Sequence, residues 1–339
     1  MIIDDSLTVR TVYSRMIDQA EGFRVVAKEG TAEKGIAALK SIDTDVVLLD
    51  LEMPGMGGLE ALPKILAARQ GVQVLVVSSL TNEGAEATLA ALSMGAADTM
   101  LKPRPGDFND DYRASLLAKI RALSGKAEPE GVANVGRIAS VAASTRKKPQ
   151  VVAIGASTGG IHALNLFLRR LPSTFDLPIL VTQHLPDSFM SVFTRQMEMA
   201  AGREAILADD GVEIRRGRII IAPGHCHMTV RRSGGVPVTG LSHTPVKSGC
   251  TPSVDPMFET VAEAYDGHAA GILLSGMGRD GTDGATRLAE LGGAIYAQDE
   301  ESCAVWGMPR AVSESAIAVA TLPPEELADK LVASLESDA

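Results

Sequence analysis

The sequence predicts an α/β protein of two domains, the first a doubly wound parallel sheet and the second a mainly parallel sheet covered by helices. Three features lead there. Short apolar runs alternate with helix-length segments along most of the chain, the pattern of parallel strands joined by helical crossovers. One stretch, residues 124–149, lacks either periodicity, carries Gly, Pro and mixed charge, and reads as a linker between domains at 1–123 and 150–336. The 339 residues, 45% of them hydrophobic, are enough for two ordinary cores and exclude a disordered chain.

In the first half, Ile2 and Ile3 run into the paired acids Asp4 and Asp5, and Ser6 is placed to cap a helix over residues 7–20. Few residues precede the acid pair, so the opening strand is expected to be short. A second strand is predicted at 23–27, then a helix capped by Thr31 and running to about residue 40. Residues 45–50 form a strand of buried-type residues that ends in Asp50. The loop 52–58 and a helix over 59–69 follow, then a strand over 73–78 ending in Ser78 and Ser79. A helix over 83–94, a strand over 98–101 ending in Lys102-Pro103, and a helix over 110–123 complete the half.

In doubly wound sheets, ligands gather at the carboxyl ends of the strands. Asp4, Asp5, Asp50, Ser78 and Lys102 all fall at such ends. Carboxylate oxygens suit a hard cation such as Mg²⁺, while a lysine and a hydroxyl can neutralise and bond a phosphoryl group. Each acid alone fits a solvated loop; five suitable residues at strand ends favour a site. This set, with Met53-Pro54-Gly55-Met56, Gly58 and Lys102-Pro103, closely resembles a response-regulator receiver domain, of flavodoxin-like fold, over residues 1–123. The resemblance implies that Asp50 accepts a phosphoryl group from a histidine kinase. It also implies that Asp4, Asp5 and Asp50 hold Mg²⁺ and that Ser78 and Lys102 contact the phosphoryl group. Thr99 stands where receivers often carry an aromatic residue, so an aromatic switch is not expected.

The second half opens on Val151-Val-Ala-Ile-Gly-Ala-Ser157-Thr-Gly-Gly160, which reads as a buried strand, a tight turn and a helix from residue 161. Gly155-x-Ser157-x-Gly159 has the form of a nucleophile elbow. The helix would aim free N–H groups and its positive end at the serine, favouring an oxyanion there. A phosphate-cradling turn fits the same residues. A strand over 177–183 ends in Gln183-His184, and a helix over 187–200 has Asp187 as its candidate cap. Strands are predicted at 217–222, 227–232 and 236–241, and a helix at 255–265. A strand over 270–274 runs into Ser275-Gly-Met-Gly-Arg-Asp280-Gly281, followed by a helix over 281–291, a strand over 293–297 and a last helix over 323–334.

Ser157, His184 and Asp280 therefore close three strands on one rim. A hydroxyl is a weak nucleophile until a base takes its proton; an imidazole can take and return it near neutral pH; a carboxylate fixes the imidazole's tautomer and stabilises its charged form. The chain order Ser–His–Asp differs from that of the α/β-hydrolases, so that fold is not assigned. Other readings stay open on residues alone. A strand-end histidine is more often structural. Gly276-x-Gly278-x-x-Gly281 also fits a dinucleotide loop, with Asp299 near the ribose position, although this leaves Ser157 and His184 idle. His225-Cys226-His227 could converge on a metal but lacks a well-spaced third ligand, which favours cleft or structural roles. A phosphorylation-switched binding module and a nucleotide-binding signalling protein are the rivals to an enzyme.

With Ile154 to Gly160, Gln183 to Pro186, Ala222-Pro-Gly224, His227-Met228, Pro252-Ser-Val-Asp255, Gly276-Met-Gly278, Asp280-Gly281 and Gly307-Met-Pro309, the second half closely resembles the catalytic domain of the chemotaxis receptor methylesterases, the CheB family. The resemblance implies a serine hydrolase that removes methyl esters from glutamates of methylated chemoreceptors and deamidates receptor glutamines. Ser157 is the implied nucleophile, His184 the base, Asp280 the orienting acid and the Met277 N–H an oxyanion donor, with no cofactor for this chemistry; Arg279 carries no implied role. The net charge of −10 argues against a nucleic-acid partner. Three unpaired-looking cysteines suggest a reducing compartment. With no signal peptide and no apolar run of about 18 residues, a cytoplasmic protein without membrane insertion is expected.

Overall fold

The computed structural model describes residues 1–78, 81–103, 108–125 and 146–336, with the backbone alone for Asn82 and Glu83. The chain divides into two compact units, Met1–Glu128 and Pro129–Ala339. Most of the expected linker, and Ser79, lie outside the described residues.

The first unit runs β1 (Ile2–Ile3), α1 (Leu7–Asp18), β2 (Lys28–Glu29), α2 (Ala32–Leu39), β3 (Val46–Asp50), α3 (Gly58–Ala68), β4 (Gln73–Ser78), α4 (Asn82–Ser93), β5 (Asp98–Leu101) and α5 (Asp110–Leu123). The sheet order is β2-β1-β3-β4-β5, with every pair parallel. This is the flavodoxin-like doubly wound order, whose site lies where the winding reverses, between β1 and β3. Ser6 and Thr31 cap their helices by accepting hydrogen bonds from Val9 N and Lys34 N. The second strand lies later than residues 23–27. Val25 N donates to Asp18 Oδ1, which holds that stretch on the end of α1, and β1 has only Ile2 and Ile3 to offer as partners, matched to Lys28 and Glu29.

The second unit comprises β6 (Val151–Ala156), α6 (Gly160–Arg170), β7 (Ile179–Gln183), α7 (Asp187–Ala201), β8 (Ala205–Leu207), β9 (Ile219–Ile221), β10 (His227–Ser233), β11 (Val236–Ser242), α8 (Val254–Ala264), β12 (Ala269–Leu273), α9 (Thr282–Glu290), β13 (Ala294–Gln298), α10 (Met308–Glu314), β14 (Ala318–Leu322) and α11 (Pro324–Glu336). Its main sheet is parallel, in the order β14-β13-β12-β6-β7-β9-β8. The β10–β11 pair forms a separate antiparallel hairpin turned by Gly234-Gly235, both with positive φ, as a two-residue hairpin loop requires. β6, β7 and β12 are buried along their whole length, which is why they read as continuous apolar runs.

Three elements escaped the sequence reading. β8 has three residues, α10 follows Gly307 with a proline in its first turn, and β14 is a half-exposed edge strand rich in alanine. None carries the length or periodicity that a single sequence reveals. Below the sheet's central strands, Met257, Phe258 and Val261 of α8 pack into one cluster with Leu180, Leu273 and Ile295. Phe258 is fully buried. Phe258→Ala is expected to destabilise the second unit by about 3–5 kcal/mol, seen as an earlier urea midpoint; a loss below about 1 kcal/mol would mean that the cluster repacks.

Candidate active site

Parallel register brings the three rim residues together. β6 pairs with β7 through Ala156 and Gln183, and His184 N donates to Ala156 O at 3.0 Å, so Ser157 and His184 leave the sheet side by side. On the other flank β12 pairs with β6 through Leu273 and Gly155, and Ser157 N donates to Ser275 O at 3.0 Å. The turn after β12 then carries Asp280 back over the rim.

The resulting contacts are continuous. His184 Nδ1 lies 3.2 Å from Ser157 Oγ, and His184 Nε2 lies 2.8 Å from Asp280 Oδ2. Asp280 is 3% exposed. Ser253 Oγ donates to its Oδ1 at 2.6 Å and Val254 N to its Oδ2 at 2.7 Å, so this buried carboxylate is satisfied and fixed. An ionised carboxylate only accepts, so Nε2 must carry a proton, and in the neutral imidazole Nδ1 is left with a lone pair facing the hydroxyl. Burial is the largest single influence and opposes charge on both groups, but the hydrogen bonds and charge attraction around them together outweigh it. Asp280 is held down to about 2, aided by Ser253 and Val254 N–H. His184 is lifted to about 9 by Asp280 and by the neighbouring Cys250 thiol.

The turn at Ser157 is built by close packing. Gly159 has φ +77°, and a Cβ there would lie 2.5 Å from Ser275 Oγ and 2.6 Å from Ala304 Cβ. Gly276 presses equally closely: its missing Cβ would sit 2.9 Å from Ser157 Cβ, which sets the Gly276-Met277-Gly278 turn against the hydroxyl. The expectation of free N–H groups at the helix start needs correction, because two are already used. Ser157 N donates to Ser275 O, and Gly160 N to Ser157 O. Asp187 is not a helix cap: α7 starts after Pro186 without a side-chain cap, and Asp187 Oδ1 instead accepts from Gly224 N and pairs with His225 Nδ1 at 2.8 Å. His225 and His227 diverge. His225 stacks near His243, whereas His227 is buried and accepts from Ser253 N at 3.0 Å, so it is a structural support for the segment that anchors Asp280. The Gly276–Gly281 turn places Asp280 on His184, a pairing that the dinucleotide reading does not account for. The sequence reading assigned no role to Ser253, Gln183, Ser275 or Cys250. Gln183 Nε2 donates to Ser157 O at 2.9 Å, and Ser275 Oγ donates to Thr158 O at 2.7 Å, so both brace the serine turn.

In the first unit the strand ends form an acidic pocket. Asp4, Asp5 and Asp50 each offer a carboxylate oxygen within 4.8 Å of the others. Lys102 Nζ pairs with Asp50 Oδ2 at 2.5 Å and lies 3.6 Å from Asp4 Oδ2. Burial pushes the Asp50 carboxyl up, against the hydrogen bond from Lys102; burial likewise opposes the Lys102 charge, but Asp50 raises it. Asp4 Oδ2 and Ser78 Oγ are buried without hydrogen-bond partners. Hard oxygen donors with unmet bonding capacity fit a magnesium ion and a phosphoryl oxygen.

A parallel-sheet unit with a phosphoacceptor-type acidic pocket, in one chain with an α/β unit bearing a hydroxyl–imidazole–carboxylate chain, defines a response-regulator hydrolase. Comparison with known proteins agrees: the CheB methylesterase family model matches residues 152–331, and the response regulator receiver domain model matches residues 1–110. The protein-glutamate methylesterase/protein-glutamine glutaminase 2 of Caulobacter vibrioides is 40% identical over 333 residues, covering 96% of each chain. The corresponding protein 1 of Paramagnetospirillum magneticum is 38% identical over 359 residues, covering 97% of this chain and 93% of that one. The crystal structure of the Thermotoga maritima CheB methylesterase catalytic domain matches with a TM-score of 0.53 and 33% identity, over 55% of this chain and 98% of that one. The chain belongs to the CheB methylesterase family and carries a response-regulator receiver domain ahead of its methylesterase domain.

The raised His184 value fixes the sign of its linkage. The folded value, about 9, exceeds the ordinary 6.5, so the imidazolium's contribution to stability is full below about 6.5 and disappears as pH rises through about 9. An NMR titration of the histidine rings should place His184 well above 6.5 and show it falling in Asp280→Asn. A value at or below 6.5 in the wild type would mean that burial, not the carboxylate, dominates.

Proposed function

We propose that this protein is a phosphorylation-regulated protein-glutamate methylesterase and protein-glutamine glutaminase acting in the cytoplasm on methylated chemoreceptors. The unbroken hydrogen-bond path from Asp280 through His184 to Ser157 supports this reading above all. Ser157 Oγ attacks the side-chain carbonyl of a glutamyl methyl ester while His184 Nδ1 takes the hydroxyl proton. Asp280 stabilises the imidazolium that results. The Met277 N–H faces the oxyanion of the tetrahedral intermediate; such a donor is worth about 3 kcal/mol. His184 returns its proton to the departing methoxide, which leaves as methanol. Water, deprotonated by His184, then cleaves the acyl-enzyme, giving glutamate and free Ser157. With a glutamine side chain the same steps release ammonia.

Control is assigned to the receiver domain. Asp50 accepts a phosphoryl group from a histidine kinase, Lys102 and Ser78 bond its oxygens, and Asp4, Asp5 and Asp50 would hold Mg²⁺, which when bound offsets the charge of the phosphoryl group. A tenfold rise in activity on phosphorylation needs only about 1.4 kcal/mol of difference between the two states. Among the described residues no helix is long and apolar enough to cross a membrane, which fits action on the receptors' cytoplasmic parts.

Ser157→Ala is expected to cut methanol release from methylated receptor membranes by on the order of 10⁴, with the urea midpoint unchanged. More than a tenth of the rate surviving would remove Ser157 from the mechanism. Because the base must be neutral and His184 is raised to about 9, kcat/KM should climb with pH through the neutral range toward about 9; a profile flat above pH 7 would contradict it. Asp50→Asn should abolish stimulation by a phosphodonor while sparing basal hydrolysis.

A further inference from the structure

One side chain beside the serine path, Cys250, is unused by the reaction yet converges on two groups that are used. Cys250 Sγ, a ring nitrogen of His184 and a carboxylate oxygen of Asp280 all lie within 4.8 Å of one another. Among the described residues the other convergence of this kind is Asp4, Asp5 and Asp50, made of oxygen donors alone. Sulfur, imidazole and carboxylate together form a different donor set, one that suits zinc or cobalt and not magnesium.

The surroundings are those of a supported ligand set. Cys250 is partly exposed, unlike the buried Cys226, so an ion can reach it from solvent. Its thiol makes a long contact, 3.9 Å, to Ser248 O and interacts with the His184 ring beside it. Asp280 is oriented by Ser253 Oγ and Val254 N, the kind of outer partners that aim ligating carboxylates. Cys250 lies three residues before Ser253, so one segment delivers both the thiol and the residue that anchors the carboxylate. A tetrahedral zinc ion with bonds of about 2.0–2.3 Å holds its ligand atoms about 3.3–3.8 Å apart, which small side-chain shifts from the present spacing reach. Water completes the fourth position.

We propose that Cys250, His184 and Asp280 form a binding site for a thiophilic divalent cation, with Zn²⁺ the best match, and that occupancy switches the esterase off. The inhibitory half rests on the reading of His184 as the base. On binding, the thiol proton goes to solvent. If the metal takes Nε2, the imidazole proton sits on Nδ1, and if it takes Nδ1, the lone pair facing Ser157 is spent. Either way His184 has no site left to accept the hydroxyl proton.

The test uses the full-length protein in excess Mg²⁺, so that the all-oxygen pocket is occupied by its own type of ion. Co²⁺ serves as a spectroscopic probe and Zn²⁺ as the inhibitor. Co²⁺ should give a thiolate-to-metal charge-transfer band in the wild type, in Cys303→Ser and in Ser157→Ala, and none in Cys250→Ser. Zn²⁺ should inhibit methanol release at a concentration at least tenfold lower for the wild type than for Cys250→Ser, each rate normalised to that variant's own metal-free rate, and a chelator should restore it. Co²⁺ binding without a sulfur band, or equal Zn²⁺ sensitivity of wild type and Cys250→Ser, would overturn the proposal. Failure of the esterase reading would look different: no methanol release under any condition, with the cobalt band still reporting the site.

Discussion

The second unit depends on one buried charge being matched. Asp280 lies beneath the surface, where an unpaired carboxylate would be strongly destabilising. Three donors meet it, from Ser253 Oγ, Val254 N and His184 Nε2. Each has a further consequence. The first two tie the start of α8 to the turn after β12. The third sets the histidine tautomer, and through it the lone pair offered to Ser157. Removing the carboxylate therefore strands a donor on the imidazole and one on each of Ser253 and Val254, and frees the ring to turn. Structure and chemistry use the same bond here, so their energies cannot be separated residue by residue.

The two units apply one architectural rule to opposite ends. In both, parallel strands deliver functional side chains to their carboxyl edge, beside the strand where winding reverses. In the methylesterase unit the hydroxyl, imidazole and carboxylate of that edge pair with one another, so those three groups are preorganised, while Gln183 Oε1 beside them is buried without a hydrogen-bond partner. In the receiver unit Asp4 Oδ2 and Ser78 Oγ are buried without hydrogen-bond partners, while Lys102 is drawn onto Asp50. Such a pocket has bonding capacity to spare, which is what the proposed cation and phosphoryl group would use.

Much of this was legible in the chain because parallel strands buried on both faces leave strong marks. The β3, β4, β6, β7 and β12 runs are continuous apolar stretches, each closed by a polar residue, and their placement needed no tertiary information. The errors fell where local signals compete with long-range pairing. Phe23 to Ala27 has strand composition, yet Asp18 holds Val25 and the two-residue β1 moves the pairing to Lys28 and Glu29. Asp187 has a cap's chemistry and position, yet the Gly224 N–H and His225 compete for its oxygen. The N–H groups around the serine turn pointed to an oxyanion from local geometry alone, but Ser275 O, from the turn after β12 over a hundred residues away in sequence, takes the one on Ser157.

The sequence by itself determined which residue types stand at the ends of which strands, because burial and strand period are local properties of composition and order. Register decided which ends are neighbours, since hydrogen-bonded pairing joins segments that carry no mark of one another. Only the folded structure decided how the imidazole is turned, with Nε2 toward the acid and Nδ1 toward the hydroxyl, since a ring rotamer follows from its packed neighbours. It alone also decided that Ser253 anchors Asp280 and that the Cys250 thiol stands beside them. Cys250 and Ser253 come from one segment and Asp280 from another, and no spacing along the chain encodes an approach of a few ångströms.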